Sequence, residues 1–270
     1  MDAARHGLSS GAVKGDIVPV YGGQTAVVTV TRSGQPDPGR LLGSLAAACA
    51  CPLRAVVADT AAAARAPEGV EVVRLVEDVG RPAAVNRAVA GLPDSVGWVV
   101  IAEPGACWAP GSLDVLLRAA ARHPRAGLVG PRLLGAAGAV PSGGELPTML
   151  AAARGRVPVG VPGEGPVGWL STAAVLMRRS AWDSVDGLDP RYLGGPGDMG
   201  DVDLGERLVR AGWLVVHEPA ANAYVEGGET SWNGHGILEP HADGLRRYVH
   251  DRGRVSARAL LALTGRLRRG

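Results

Sequence analysis

The sequence predicts an α/β domain whose mainly parallel sheet is flanked by helices. Three observations carry that expectation. Short β-branched runs alternate with helix-length segments from residue 25 to residue 133. The runs are apolar almost throughout, as strands covered on both faces require. Several stop at a hydroxyl or carboxylate residue (Thr31, Asp59, Glu77-Asp78, Glu103), and ligands of such sheets collect beyond the carboxyl ends of the strands.

Each element follows in order. Residues 1–24 are rich in glycine and small polar residues without periodicity, so a flexible leader is expected. Thr25–Thr31 (TAVVTVT) reads as the first strand. Pro36 and Pro38 punctuate a loop before a helix predicted over Leu41–Ala50. Leu53–Asp59 (LRAVVAD) predicts a second strand and Val70–Val76 a third. A helix is predicted over Gly80–Leu92, with Pro82 in its first turn. Gly97–Ala102, a helix over Pro110–His123 and Ala126–Leu133 complete the alternation. Residues 135–166 are Gly/Pro-rich and predict a mobile region with a short helix near Met149–Arg154. A strand over Trp169–Met177, a turn at Asp186-Gly187, a helix over Leu204–Ala211 and a strand over Trp213–Val216 close the domain.

Size and composition narrow the function. A chain of 270 residues with 46% hydrophobic content fits one domain with a sizeable core. No apolar run approaches the ~18 residues of a membrane span, and no apolar leader suggests a secretory signal. Three cysteines (Cys49, Cys51, Cys107) predict no disulfide framework and lack zinc spacing, so they read as small residues in a reducing compartment. The six histidines also lack ligand spacing and are expected at the surface. Net charge is +2, but residues 244–270 hold eight arginines against Asp251. A basic tail on an acidic body argues against nucleic acid and for a local anionic partner. Leu260, Leu263 and Leu267 share a helical face in Val255–Leu267, a pattern suited to peripheral contact with an anionic membrane.

The turn after the first strand reads TRSGQPDPG, which is not G-x-G-x-x-G, so a nicotinamide-dependent oxidoreductase loses its main support. Neither a P-loop nor a nucleophile elbow is present. The carboxylates Asp198, Asp201 and Asp203 bunch at a helix start after a Gly/Pro-rich loop. A helix N-terminus stabilises an ionised acid, and one placed carboxylate suffices for general-base work.

The wording of several segments resembles inverting family 2 glycosyltransferases of the GT-A fold. These segments are Arg179-Ser180-Ala181, Asp186-Gly187-Leu188-Asp189, Gly200-Asp201-Val202-Asp203-Leu204, Arg207 and Ala211-Gly212-Trp213. The pattern is most similar to the actinobacterial rhamnosyltransferase type, through AVVTVT, VVADTAA, Gly80 to Arg87 (GRPAAVNR), IAEPGACWAPGS, Pro124 to Pro131 (PRAGLVGP) and VGWLST. The resemblance spans roughly residues 25–250 and implies a single GT-A-like, Rossmann-type domain over residues 25–243, with a basic helical tail over 244–270.

The resemblance also implies a function: transfer of a sugar, rhamnose in this type, from a nucleotide-sugar to a lipid-linked or cell-envelope glycan acceptor, with inversion. It implies Asp201 as the base. It places Thr31, Asp59, Arg81, Asn86 and Glu103 around the nucleotide-sugar and Trp169 against the acceptor or sugar. It implies a cytoplasmic protein held peripherally at the inner membrane face. A Mg or Mn ion in the family binds the last Asp of a D-x-D or N-P-D motif, where this chain has Gly105. The family's Glu before the base is Gly200 here, and its metal-binding His after the last strand is missing from 223–229. Metal ligation would then fall to Glu103 with Glu226 or Glu229. These losses keep a second reading open: a non-catalytic relative acting as a partner or regulator in glycan assembly.

Overall fold

The computed structural model describes residues 23–32, 36–60, 68–192, 198–226, 237–238 and 243–253. The leader to residue 22 and the amphipathic segment Val255–Leu267 lie outside the described residues.

The chain opens with β1 (Gln24–Thr31), α1 (Gly39–Ala48), β2 (Leu53–Asp59), β3 (Glu71–Arg74), α2 (Arg81–Ala90) and β4 (Val96–Ala102). It continues with β5 (Cys107–Trp108), α3 (Ser112–Arg122), β6 (Ala126–Gly135), β7 (Gly138–Ala139), β8 (Gly143–Gly144), α4 (Met149–Ala153), β9 (Val157–Pro158) and β10 (Gly165–Val167). The last part holds β11 (Trp169–Leu170), β12 (Ala174–Arg178), α5 (Arg179–Ser184), α6 (Gly200–Arg210), β13 (Leu214–Tyr224), β14 (Ile237–Leu238) and a helix, α7, at 243–253.

The main sheet has the order β10-β13-β6-β12-β4-β1-β2-β3, with β5 on β13 and β7 on β6. β3, β2, β1 and β4 run parallel, as do β6 and β13, while β12 enters antiparallel between β4 and β6. Successive side chains of β1 point to opposite faces. Ala26, Val28 and Val30 meet α2, α5 and α6 through Val85, Ala88, Trp182, Leu204 and Leu208. Val27 meets α1 and α3 through Leu41, Leu45, Leu113, Leu116 and Leu117. Both faces are therefore covered, which explains why the strands read as continuous apolar runs.

Several boundaries differ from expectation, each for a physical reason. The predicted strand Trp169–Met177 is two strands. β11 pairs with β8, the chain turns at 171–173, and β12 joins the main sheet. Apolar periodicity does not reveal that the two halves pair with different partners. Helix α6 begins at Gly200, four residues before the predicted Leu204, because its first turn is polar. The side chain of Asp198 accepts the Gly200 N–H at 2.8 Å, a local turn bond just before the helix that propensity does not register. β13 runs on to Tyr224, past the predicted Val216, through a register shift between Glu218 and Asn222. Residues 135–166, expected to be mobile, form β7 to β10 with α4. Cys49 and Cys51, read as unpaired, are joined as a disulfide, and His217, expected at the surface, is fully buried.

The expected tail begins at 244, but α7 packs on the body. Tyr248 is buried in a third core with Trp169, Tyr192, Met199 and Val202. Arg252 meets Glu206 at 3.1 Å, and Arg191 bridges from the 186–192 loop to Asp251 at 2.6 Å. Among the described residues no helix is long and apolar enough to cross a membrane.

Candidate active site

Parallel sheets bind ligands where the strand order reverses. Here β1 is followed outward by β2 and β3 on one side and by β4 on the other, so the crevice opens beyond the carboxyl ends of β1 and β4. Thr31 and Asp59 stand at neighbouring strand ends. They are paired in register, and the Thr31 hydroxyl donates to Asp59 Oδ1 at 3.3 Å. Asp59 is buried and also lies 3.7 Å from Arg74.

On the β4 side, Glu103 is exposed and its main-chain N–H donates to Ala173 O at 2.8 Å. That bond ties the end of β4 to the 171–173 turn. Thr172 is the centre of the site. Its hydroxyl donates to Asp201 Oδ1 at 2.7 Å and accepts from Arg81 Nη1 at 2.9 Å. Arg81 Nη2 also donates to the Thr172 carbonyl at 2.7 Å. Gly80, at φ 79°, turns the chain into α2 and sets Arg81 on its first turn.

Close packing holds Asp201 against this turn. A Cβ on Gly205 would meet the Gly168 carbonyl at 2.5 Å and Trp169 Cβ at 2.8 Å, so α6 lies on β11 with no room for a side chain there. Met199, at φ 71°, holds the left-handed conformation just before α6 begins. A non-glycine residue there stores strain on the order of 1 kcal/mol or more, at the entry to the helix that carries Asp201. Desolvation raises the Asp201 pKa to about 6, with the Asp198 charge adding to it and Arg81 and Thr172 opposing. A carboxylate tuned upward toward neutrality is suited to accept a proton.

The other predicted residues divide. Asn86 is spent on structure: its amide donates to Leu188 O at 2.7 Å and accepts from Leu188 N at 3.0 Å, clamping the Asp186-Gly187 turn. Its side chain is thereby committed to Leu188 and not to the nucleoside contact implied for it. Trp169 is 3% exposed, packed in the third core with its indole N–H on Pro158 O at 3.2 Å, so it offers no open face to a sugar. Asp203 pairs with Arg207 at 2.7 Å, as i,i+4 spacing predicts. Thr172, which bonds Asp201, is a residue that the sequence did not single out. A threonine in a WLST segment carries no signal until the fold sets it beside Asp201.

Among the described residues the donors do not fit a divalent centre, and Glu229, the alternative to Glu226, lies outside them. A hard cation needs several fixed oxygens. Gly105 supplies no side chain. Glu226, proposed as a ligand, is paired with Arg40 through Oε1. Among the described residues no three His, Cys, Asp or Glu side chains gather as a metal site.

No protein-family model matches the chain. It is 37% identical over 229 residues, 72% of its length and 73% of the relative's, to the N-acetylglucosaminyl-diphospho-decaprenol L-rhamnosyltransferase of Mycobacterium tuberculosis, in strain CDC 1551 / Oshkosh and in strain ATCC 25618 / H37Rv alike. Among solved structures it is similar to GalNAc-T7 with UDP, GalNAc and Mn²⁺, with a TM-score of 0.57 and 13% identity. That match covers 84% of this chain and 47% of the other. It is also similar to the mannosyltransferase PcManGT of Pyrobaculum calidifontis in complex with GDP-Man and Mn²⁺, with a TM-score of 0.50 and 15% identity over 80% of this chain and 59% of the other. The chain thus spans about half the length of these two structures, and the likeness concerns the fold. At the identity and coverage of the mycobacterial relatives, the chain belongs to the rhamnosyltransferase family of GT-A glycosyltransferases.

Proposed function

We propose that this protein transfers a sugar, rhamnose by kinship, from a nucleotide diphosphate donor to a lipid-linked acceptor with inversion, and that Asp201 is the base. The observation that carries this reading is the chain Arg81–Thr172–Asp201, tied through Ala173 to Glu103 at the end of β4. It sets one proton-accepting carboxylate beside the crevice where a nucleotide fits. Single displacement needs one such base. The acceptor oxygen bonds to the anomeric carbon, its proton passes to Asp201, and the bond to the donor's phosphate oxygen breaks. Thr31 and Asp59 face the nucleoside. Arg81, bound to Thr172, positions the base and does not reach for phosphate.

The acceptor class follows the mycobacterial relatives, whose name gives a diphospho-decaprenol acceptor. The arginine-rich residues 244–270 suit a peripheral position at an anionic membrane face. The test is incubation of the purified protein with dTDP-rhamnose or UDP-sugars and a polyprenyl-diphosphate N-acetylglucosamine. The expected product has inverted anomeric configuration by NMR. Nucleotide binding with no transfer to any such acceptor would favour the non-catalytic reading, which Gly105 and Gly200 in place of family carboxylates support.

A further inference from the structure

Turn 103–105 after β4 lies against the β1–α1 loop and against Glu226, which pairs with Arg40 on the first turn of α1. A Cβ placed on Gly105 would lie 3.4 Å from Pro36 Cγ, in the β1–α1 loop, and 3.5 Å from both Cβ and Oε2 of Glu226. Glu226, just past β13, thus lies against the point where a residue 105 side chain would begin. Its other oxygen is bound by Arg40, on the first turn of α1. Both side chains keep about half their surface open, 49% for Arg40 and 52% for Glu226, so a ligand can reach them. A cation therefore sits beside the motif that should hold a metal. The N-terminal end of α1, at the topological switch point, is also where the helix dipole favours anions, and its first N–H, that of Gly39, is already held by Asp37 Oδ1 at 2.8 Å.

We infer that the Arg40–Glu226 pair takes the place of the divalent cation at the leaving diphosphate: Arg40 contacts the phosphate oxygens, and Glu226 holds the guanidinium beside the 103–105 turn. The inference rests on the glycosyltransferase reading of the site. When the anomeric C–O bond breaks, its electron pair stays on the phosphate oxygen and the nucleoside diphosphate leaves with added negative charge. A guanidinium offers charge and two-pronged hydrogen bonding to such a group at a smaller dehydration cost than a divalent cation. Glu226 is then a positioning residue, and Gly105 keeps a second carboxylate away from the anion.

The experiment is calorimetric titration of the full chain with dTDP and with UDP, in EDTA and in Mn²⁺. Wild type should bind with affinities that differ by less than about threefold between the two conditions. Arg40→Gln should weaken binding in EDTA by at least about tenfold, the scale of one charge-assisted contact. Mn²⁺ should restore part of that loss, because Glu226 is released. Arg40→Lys should keep most of the affinity. Gly105 has no positive φ and its Cβ would make ordinary contacts, so Gly105→Asp should fold and should make binding respond to Mn²⁺ by about tenfold or more. Wild-type binding that collapses in EDTA, with Arg40→Gln matching wild type, would overturn the inference and leave the glycosyltransferase reading standing. Absence of nucleotide binding by wild type in both conditions would overturn that reading itself.

Discussion

Thr172 donates its hydroxyl to Asp201 at 2.7 Å, from a turn between two strands to the first turn of a helix 29 residues later. The same hydroxyl oxygen accepts from Arg81, so one threonine joins a strand turn and two helices at the candidate base. Its bond favours the ionised carboxylate against the desolvation that raises its pKa.

Asp201→Asn should retain nucleotide affinity and lower turnover by about 10²–10⁴-fold, the usual worth of a placed base. Wild-type turnover should rise with pH through about 6, where Asp201 loses its proton. The stability effect has the opposite sense. A carboxyl raised from 3.8 to about 6 binds more protons folded than unfolded, so it costs stability as pH climbs between those values. Asp201→Asn should lack that decline in melting scans. Full turnover in the variant would remove Asp201 from the role.

Thr172→Val deletes the hydrogen bond to the ionised base and one of the two bonds of Arg81, which keeps its bond to the residue 172 carbonyl. The acid limb of the pH–rate profile should move upward, and turnover at pH 6 should fall severalfold, about the value of one hydrogen bond. Thr172→Ser should restore the profile. An unmoved acid limb in the valine variant would show that the hydroxyl does not tune Asp201.

Gly205→Ala places a methyl 2.5 Å from the Gly168 carbonyl. Backbone does not yield cheaply, so α6 must lift from β11 and carry Asp201 away from Thr172. Stability should fall by about 1–3 kcal/mol in denaturant titration, with turnover falling further than the folded fraction explains. A variant as stable and as active as wild type would mean that the helix seats itself differently.

Removal of residues 254–270 deletes five arginines, each worth roughly 1 kcal/mol near an anionic surface. Vesicles containing phosphatidylserine should bind the shortened protein less tightly than the full chain, with the difference shrinking at high salt. Since the deletion leaves the described part of α7, 243–253, in place, the fold should persist. Equal vesicle binding by both forms would assign the segment another role.

The sequence by itself determined the alternation of the main strands and helices from residue 25 to residue 133, the covered, mainly parallel sheet and the place of Asp201 at a helix start. These features are local. An apolar β-branched run makes a buried strand wherever it lies, and a carboxylate after a glycine-rich loop marks a helix start. Motif spacing also carried the kinship, because the segments around Asp59, Arg87 and Asp201 keep their order along the chain. Tertiary structure decided what each polar group touches. It assigned Asn86 to Leu188, put Trp169 into a core, set Thr172 between Arg81 and Asp201, and joined Arg40 to Glu226 across 186 residues. Side-chain hydrogen bonds and ion pairs depend on separations of a few ångströms. Only the packing of α1, α2, α6 and the β4 turn against one sheet fixes those separations, and hydrophobic period and propensity do not encode them.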